Sequence, residues 1–317
     1  MSPSPARVLC VLGATGTGKT DAALALAEAL GGAVVNVDSR QVYRGVPVTT
    51  AQPTQDEQAR CPHHLYGFLP LEESVSAGAY AQQASGAVRQ VLAQGLVPIL
   101  TGGTGLYFQA LLEGLAPIPD VPEAVRAAVQ ERWDHEGPET MHALLRRADP
   151  AYAAKVHAND RQRVTRALEV LEATGRTFSA WHARLERPME LDSFRLGVRV
   201  ARPDLERRLA RRIEAMLAAG AVEEIRAVLD SGVDPQAPGL SGIGCAELRD
   251  HLLGRTDLVE ACRLWLANTR AYAKRQETWF RRDPHVRWFV PGDSAALVSH
   301  ARSWLERDRP GAGEGAG

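Results

Sequence analysis

The 317-residue sequence predicts an α/β fold, a parallel sheet core carrying an all-helical insertion domain. Three observations lead there. Short β-branched and apolar runs alternate with helical segments over residues 1–116, an order that implies right-handed crossovers and parallel strands. From about residue 117 to 190 the pattern is wholly helical. A strand pattern resumes at 191, so the helical part interrupts the core. The expected organisation is a first core part over 1–116, a helical insertion domain over 117–190, a second core part over 191–308 and a disordered tail over 309–317, "RPGAGEGAG".

The elements follow in order. Arg7 to Leu12 is a short apolar strand, "GATGTGKT" at 13–20 is a glycine-rich turn, and Lys19 to Leu30 is an Ala/Leu helix. "GAVVNVD" at 32–38 is a second buried strand ending in an acid, and Ser76 to Gln94 has helical spacing. "LVPILTGGTGLY" at 96–107 runs from a third strand through a glycine turn into another helix. In the insertion, "PEAVRAAVQERW" and "NDRQRVTRALEVLEATG" are helical with no strand between them. A strand at 192–202, a helix at 203–219, a loop at 232–244, a long helix through "ACRLWLANTRAYAKRQETWFRR" and a last strand "VRWFV" complete the chain. Ligands of such sheets gather at the carboxyl ends of the strands.

Composition narrows the function classes. With 45% hydrophobic and 24% charged residues the chain is neither disordered nor fibrous. No run approaches the roughly 18 apolar residues that span a bilayer, and the N-terminus lacks the form of a signal peptide, so a cytoplasmic location without membrane contact is expected. Four cysteines, Cys10, Cys61, Cys245 and Cys262, stand far apart with no CxxC pair and read as free thiols. A net charge of -1 gives no global pull toward nucleic acid, so any nucleic-acid surface must be a local patch, a question composition alone does not decide.

The chemistry begins at Gly13, Ala14, Thr15, Gly16, Thr17, Gly18, Lys19 and Thr20. Gly13, four residues, then Gly18-Lys19-Thr20 matches a phosphate-binding loop, placed after a strand and before a helix. Its glycines let backbone N–H groups turn inward on phosphate oxygens, Lys19 adds positive charge, and the Thr20 hydroxyl is a ligand for Mg²⁺. The core is therefore expected to be P-loop NTPase-like. "PILTGG" carries no acid at its end, whereas "VVNVD" ends in Asp38, at the lip where an acceptor would sit. That position suits a base acting on an acceptor nucleophile, and it equally suits a cap for the following turn. Three readings remain open here: a small-molecule kinase using ATP, a transferase whose loop holds a diphosphate leaving group, and a nucleotide-dependent switch.

The blocks "GATGTGKT", "VDSRQVYRG", "PHHL", "SAGAYA", "PILTGGTGLYFQALLEGL", "NDRQRVTRALEV" and "YAKRQETWFRR" stand in the order and spacing of the tRNA dimethylallyltransferases, and over residues 7–290 the chain resembles that family. No zinc-finger extension follows the core, so a bacterial-type member is expected. The resemblance implies transfer of the dimethylallyl group from dimethylallyl diphosphate to N6 of adenosine 37, beside the anticodon, in tRNAs reading codons that begin with U. It implies Asp38 as the base, Thr104 at the reaction channel and Arg212 near the diphosphate, with Mg²⁺ as cofactor. A guanidinium there can take two oxygens at once. Thr104 is also a candidate cap for the helix after it. The other arginines of "LERRLARRIEAML", Arg208 among them, read as a solvated face. The expected partners are the tRNA anticodon stem-loop and the donor, with the chain a monomer.

Reading an extruded base takes polar groups at its edge and surfaces to stack on it. By resemblance, the RNA contacts fall on Asp38, Ser39, Arg40, Gln41 and Thr104; on Gln162, Arg163, Val164, Thr165 and Arg166; and on Ser241, Gly242, Ile243, Gly244, Cys245 and Ala246. Lys274, Arg275, Gln276, Arg281 and Arg282 add a basic surface on the long helix, where Trp279 and Phe280 also read as core. Two departures stand out. Thr49-Thr50-Ala51-Gln52-Pro53 replaces the usual GTAKP, and Ile243-Gly244-Cys245-Ala246-Glu247 replaces IGYKE or IGYRE. His63 and His64 match a histidine site, with a structural role expected.

Overall fold

The computed structural model describes residues 5–307; the tail expected over 309–317 lies outside them. The core strands are β1 (Ala6–Leu12), β2 (Gly32–Asn36), β3 (His63–His64), β4 (Val97–Gly102), β5 (Leu191–Val198) and β6 (Arg287–Phe289). They form one sheet in the order β3-β2-β4-β1-β5-β6, and every pairing is parallel. This is the α/β architecture expected. Parallel strands must be joined by crossovers, and the helices supply them: α1 (Lys19–Leu30), short α2 (Pro47–Thr50) and α3 (Gln55–Arg60), α4 (Ala77–Ala93), and α5 (Gly105–Leu112).

Register sets the site. Leu12 of β1 lies opposite Gly102 of β4, and Asn36 of β2 lies opposite Thr101. Three strands therefore end at one level, which brings the loop at 13–20, the turn at Asp38 and the glycines after Thr101 to one edge. Beneath it, Leu9, Val11, Leu24, Leu26, Val34 and Ile99 form a closed apolar core.

Glu113–Arg187 forms a compact unit of its own. It contains α6 (Glu123–Ala148), α7 (Pro150–Ala153), α8 (Arg161–Thr174) and α9 (Phe178–His182) around Val129, Trp133, Met141, Leu145, Val164 and Leu168. Helix α6 breaks at Gly137, φ 77°, before Pro138, which has no N–H to continue the ladder. Leu115 and Glu186 exchange two backbone hydrogen bonds of 3.1 and 2.8 Å, so this unit closes on itself where the chain enters and leaves it.

The remaining core helices are α10 (Arg202–Ala218), α11 (Ala221–Asp230), α12 (Cys245–Leu252), α13 (Leu258–Phe280) and α14 (Ser294–Glu306). Leu297 and Ala301 of α14 pack into the sheet core, and Trp304 stacks on Phe194 with ring centres 5.5 Å apart. Asp160 and Asp257 cap α8 and α13 by accepting from Arg163 N and Glu260 N, the bonds that helix starts otherwise lack. Among the described residues no helix is long and apolar enough to cross a membrane.

Candidate active site

The strand β1 ends and the chain turns through Gly18 with φ 91°, a conformation that side chains resist, directly before α1 begins at Lys19. The first amides of α1 have no intrahelical partner and point outward from the helix start. Lys19 Nζ donates to the Ala14 carbonyl at 2.8 Å, and Thr17 Oγ1 donates to the same oxygen at 2.9 Å. Burial pulls the Lys19 ammonium down to about 8, the Asp38 carboxylate works against that, and Arg212 adds to it. The side chain of Thr17 is closed in at 2% exposure, so it shapes the loop while Lys19 and Thr20 face the cavity.

Two amides of the loop are already used: Thr17 N donates to the Ala14 carbonyl at 3.4 Å, and Thr15 N reaches across to another helix. Gln276 of α13 accepts from Thr15 N at 2.9 Å and donates from Nε2 to the Gly103 carbonyl at 2.9 Å. It thus joins the phosphate loop to the turn after β4. Gly103 is glycine for the same reason: a Cβ there would lie 2.0 Å from Gln276 Nε2.

Asp38 stands just past β2, not on it. Asn36, fully buried, accepts from Asp38 N at 2.9 Å and donates to the Asp38 carbonyl at 3.1 Å and the Leu65 carbonyl at 2.9 Å. Tyr80 donates in turn to the Asn36 carbonyl. Asp38 Oδ1 accepts from Arg40 N at 2.8 Å, so one carboxylate oxygen caps the residue's own turn; Oδ2 lies 3.3 Å from where a Cβ on Gly103 would stand, and Asp38 lines the cavity. Thr104 Oγ1 accepts from Ser39 N at 2.9 Å and is 3.2 Å from Ser39 Oγ. The hydroxyl therefore holds the Asp38 turn instead of capping α5, whose first turn is served by the Thr104 carbonyl.

These groups share a cavity of about 810 Å³, lined by Lys19, Thr20, Asp38 and Arg212 with Tyr66 and Tyr272 among its walls. Burial pulls the Arg212 guanidinium down, and Asp38 pulls it back up. Burial pushes the Tyr272 phenol up to about 12 and raises Tyr66 further, so both rings stay neutral walls.

The lip of the cavity unites two of the three expected RNA segments. Arg40 Nη1 donates to Ser241 Oγ at 3.2 Å and to the Pro238 carbonyl at 3.4 Å, and Ser39, Gln41, Gly242 and Ile243 line the same cavity. Gly244 and Cys245 are closed in, and burial pushes the Cys245 thiol up to about 12. Cys245, the first residue of α12, therefore presents no side chain at the lip. The third segment opens α8 in the separate unit. Gln162 and Arg163 are exposed and Arg166 half-buried, whereas Val164 and Thr165 belong to that unit's interior at 0% and 2% exposure. Helical spacing alone forces this, since three or four consecutive residues cannot share one face.

The departures have local reasons. Glu224 accepts from Val48 N, Thr49 N and Thr49 Oγ1 at 2.7, 2.8 and 2.6 Å, so the Thr49 hydroxyl fills a bond that glycine could not make. Gln52 Nε2 donates to the Tyr43 carbonyl at 2.7 Å and stays within the loop. Glu247 accepts from Gly244 N at 2.6 Å and from Asn268 at 2.7 Å, holding the 241–246 segment without an aromatic at 245. His63 is held by the Cys61 carbonyl at 2.8 Å, on the edge strand β3 away from the cavity lining.

Mg²⁺ is accommodated by this arrangement in one way. Among the described residues no three His, Cys, Asp or Glu side chains form a metal site. Thr20 lines the cavity beside Lys19. One hydroxyl fits an ion that takes its remaining ligands from water and substrate phosphates, the habit of Mg²⁺.

A parallel sheet that brings a phosphate loop, a carboxylate and a guanidinium to one edge defines a phosphate-handling enzyme of the P-loop class. Residues 41–283 match the family described as IPP transferase. A tRNA dimethylallyltransferase of Nitratidesulfovibrio vulgaris is 51% identical over 305 residues, covering 96% of this chain and 99% of that one. The full-length tRNA isopentenylpyrophosphate transferase of Bacillus halodurans is 31% identical with a TM-score of 0.70, covering 95% of this chain and 97% of that one. A eukaryotic dimethylallyltransferase solved acting on tRNA shares the fold, at 24% identity and a TM-score of 0.77, covering 94% of this chain and 77% of that one. The chain belongs to the IPP transferase family.

Two groups escaped the sequence reading, Asn36 and the bridging role of Gln276. Gln276 was legible in principle: Trp265, Thr269, Ala273, Gln276 and Phe280 form one buried stripe at helical spacing.

Proposed function

We propose that the chain transfers the dimethylallyl group of dimethylallyl diphosphate to N6 of adenosine 37 in the anticodon stem-loop of tRNA, in those tRNAs that read codons beginning with U. The new bond joins N6 to the allylic carbon, the carbon–oxygen bond to diphosphate breaks, and Asp38 takes the proton that N6 loses. The observation that carries this reading is the meeting of Lys19, Arg212 and Asp38 in one cavity. The first two are cations placed for charge that develops on a leaving diphosphate, and the third is a carboxylate placed for an acceptor at the lip.

An adenine amine is a poor nucleophile because its lone pair is delocalised into the ring, so removing its proton matters. Asn36, Thr104 and Arg40 N fix the Asp38 turn from three sides, which holds the free carboxylate oxygen in place without reorganisation. Lys19 exchanges the Ala14 carbonyl for diphosphate oxygens, together with the free amides of the loop. Arg212 offers a fork to the same group. The Thr20 hydroxyl would hold Mg²⁺, which would add neutralising charge beside the diphosphate. Tyr66 and Tyr272 provide aromatic surface for the allylic group or the base. On the RNA side, Ser39, Arg40, Gln41, Ser241, Gly242 and Ile243 meet the loop, and Gln162, Arg163 and Arg166 take phosphates. The chain acts as a monomer in the cytoplasm.

The test is mass analysis of an anticodon stem-loop incubated with the protein, Mg²⁺ and either dimethylallyl diphosphate or ATP. A gain of one isoprenoid unit with the first is expected. Phosphorylation of the stem-loop with the second would overturn the reading in favour of a kinase.

A further inference from the structure

Helix α10 presents two faces. Leu209, Arg212, Ile213 and Met216 line the main cavity. Asp204, Arg207, Arg208 and Arg211, three and four residues apart, line a second cavity of about 580 Å³, completed by Arg199 just past β5 and by Pro291. Among the described residues none lines both cavities. Arg207 pairs with Asp204, whereas Arg199, Arg208 and Arg211 are exposed and have no side-chain partner among the described residues. Guanidinium groups gathered with so little compensation repel one another, and an anion is what relieves that.

The position of this cavity says which anion. Arg208 Nη1, Asp21 Oδ2 and Pro291 Cβ each lie 3.8 Å from where a Cβ on Gly18 would stand, and Gly18 and Asp21 also line the main cavity, so one carboxylate stands at this edge among the guanidinium groups. The arginines thus border the outer side of the same glycine edge whose inner side closes on Lys19. None of the residues expected to touch RNA lines the second cavity.

We propose that the cavity is an antechamber for diphosphate: Arg199, Arg207, Arg208 and Arg211 collect the diphosphate end of the donor from solution by charge and deliver it across the Gly18 edge to the loop. The diphosphate product leaves by the same route. This rests on the reading that the loop holds the donor's diphosphate.

The experiment uses the full chain, stopped-flow association of a fluorescent anthraniloyl analogue of dimethylallyl diphosphate, and steady-state transfer to the stem-loop. The double variant Arg199→Ala/Arg211→Ala should lower the association rate constant about 3- to 10-fold at low salt, with the difference collapsing near about 0.5 M salt as screening sets in. The loss should fall on kcat/KM for the donor and not on kcat or on stem-loop affinity. Arg199→Lys/Arg211→Lys should restore the rate, because steering needs charge and not a bidentate fork. Unchanged association in the alanine variant at low salt overturns the antechamber, and so does a loss confined to stem-loop affinity, which would make the patch an RNA surface. Lys19→Ala, measured alongside, separates the two levels: if it leaves analogue binding intact, the loop reading itself falls. If it abolishes binding while the arginine variants stay normal, only the antechamber falls.

Discussion

At Asp38 one carboxylate oxygen caps the turn at Arg40 N while the residue lines the cavity, so the cap is visible and the proposed base is what a substitution must test. Asn keeps the accepting oxygen and the size, yet cannot take a proton. Asp38→Asn should therefore fold and bind the stem-loop normally while single-turnover transfer slows by roughly 10²- to 10⁴-fold. A stable, RNA-competent variant with a near-normal rate would remove the base from the mechanism. Lys19 gives a pH prediction with a definite sign. Its folded value, pulled down to about 8 by burial, leaves it charged at neutral pH and neutral above that value. The profile of kcat/KM for the donor should accordingly fall as pH rises through about 8, because the free protein loses the cation that meets the diphosphate. A profile flat well above that value would sink the assignment. The stability contribution has the opposite sense: between about 8 and the ordinary lysine value of 10.5 the unfolded chain holds this proton and the folded chain does not, so stability rises with pH there. Lys19→Met should then leave the thermal midpoint of the ligand-free protein undiminished at pH 7 while abolishing use of the donor. A lowered midpoint would show that the bond to the Ala14 carbonyl outweighs the cost of the buried charge.

At the scale of elements, α13 is the strut that fixes the distance between the two glycine turns, through one side chain. Gln276→Ala would leave Thr15 N and the Gly103 carbonyl without partners, at a cost of about 1–3 kcal/mol for each group that water cannot reach. Urea unfolding should show that loss, and kcat should fall with it because both turns carry the site. Gln276→Glu separates the two bonds, since a carboxylate can still accept from Thr15 N but has no donor for Gly103. Full activity in the alanine variant would reduce Gln276 to packing. This strut also marks where sequence reading stops. The phosphate loop, α1, α4, β4 and α10 were legible because each carries its own pattern within a dozen residues or so. The two-residue β3 is a strand only because Val34 and Val35 stand beside it, and α14 shows its buried face only once Leu297 and Ala301 meet the sheet. Asn36, inside "GAVVNVD", reads as one more strand residue until its amide is seen closing on Asp38 from both sides. Polar residues whose partners lie far along the chain leave no periodic trace, and the site is built from several of them.

For the whole molecule, a net charge of -1 together with exposed arginines at the start of α8 and along α13 predicts that the proposed RNA affinity is local and electrostatic, and that it falls steeply with salt. The covalent layout allows that locality to be tested. Glu113–Arg187 has its own apolar cluster, and Leu115 and Glu186 pair where the chain enters and leaves it. Backbones exchanging two hydrogen bonds stand about 5 Å apart, so a flexible linker of about six residues from Leu112 to Pro188 can replace the whole unit without straining either end. The shortened chain keeps the six-stranded sheet, the phosphate loop, Asp38 and Arg212. It should unfold cooperatively in urea and bind the donor within about threefold of the full chain. Stem-loop affinity should fall by about 10-fold or more, because Gln162, Arg163 and Arg166 are gone and each arginine lost from a phosphate removes its share of counterion release. The slope of log affinity against log salt should also become shallower, a change that a merely loosened structure would not produce. Undiminished RNA affinity in a well-folded shortened chain would mean that α8 is not an RNA surface. Failure of the shortened chain to fold would show that the sheet core depends on the insertion for its stability, against the separate apolar clusters seen in the two units.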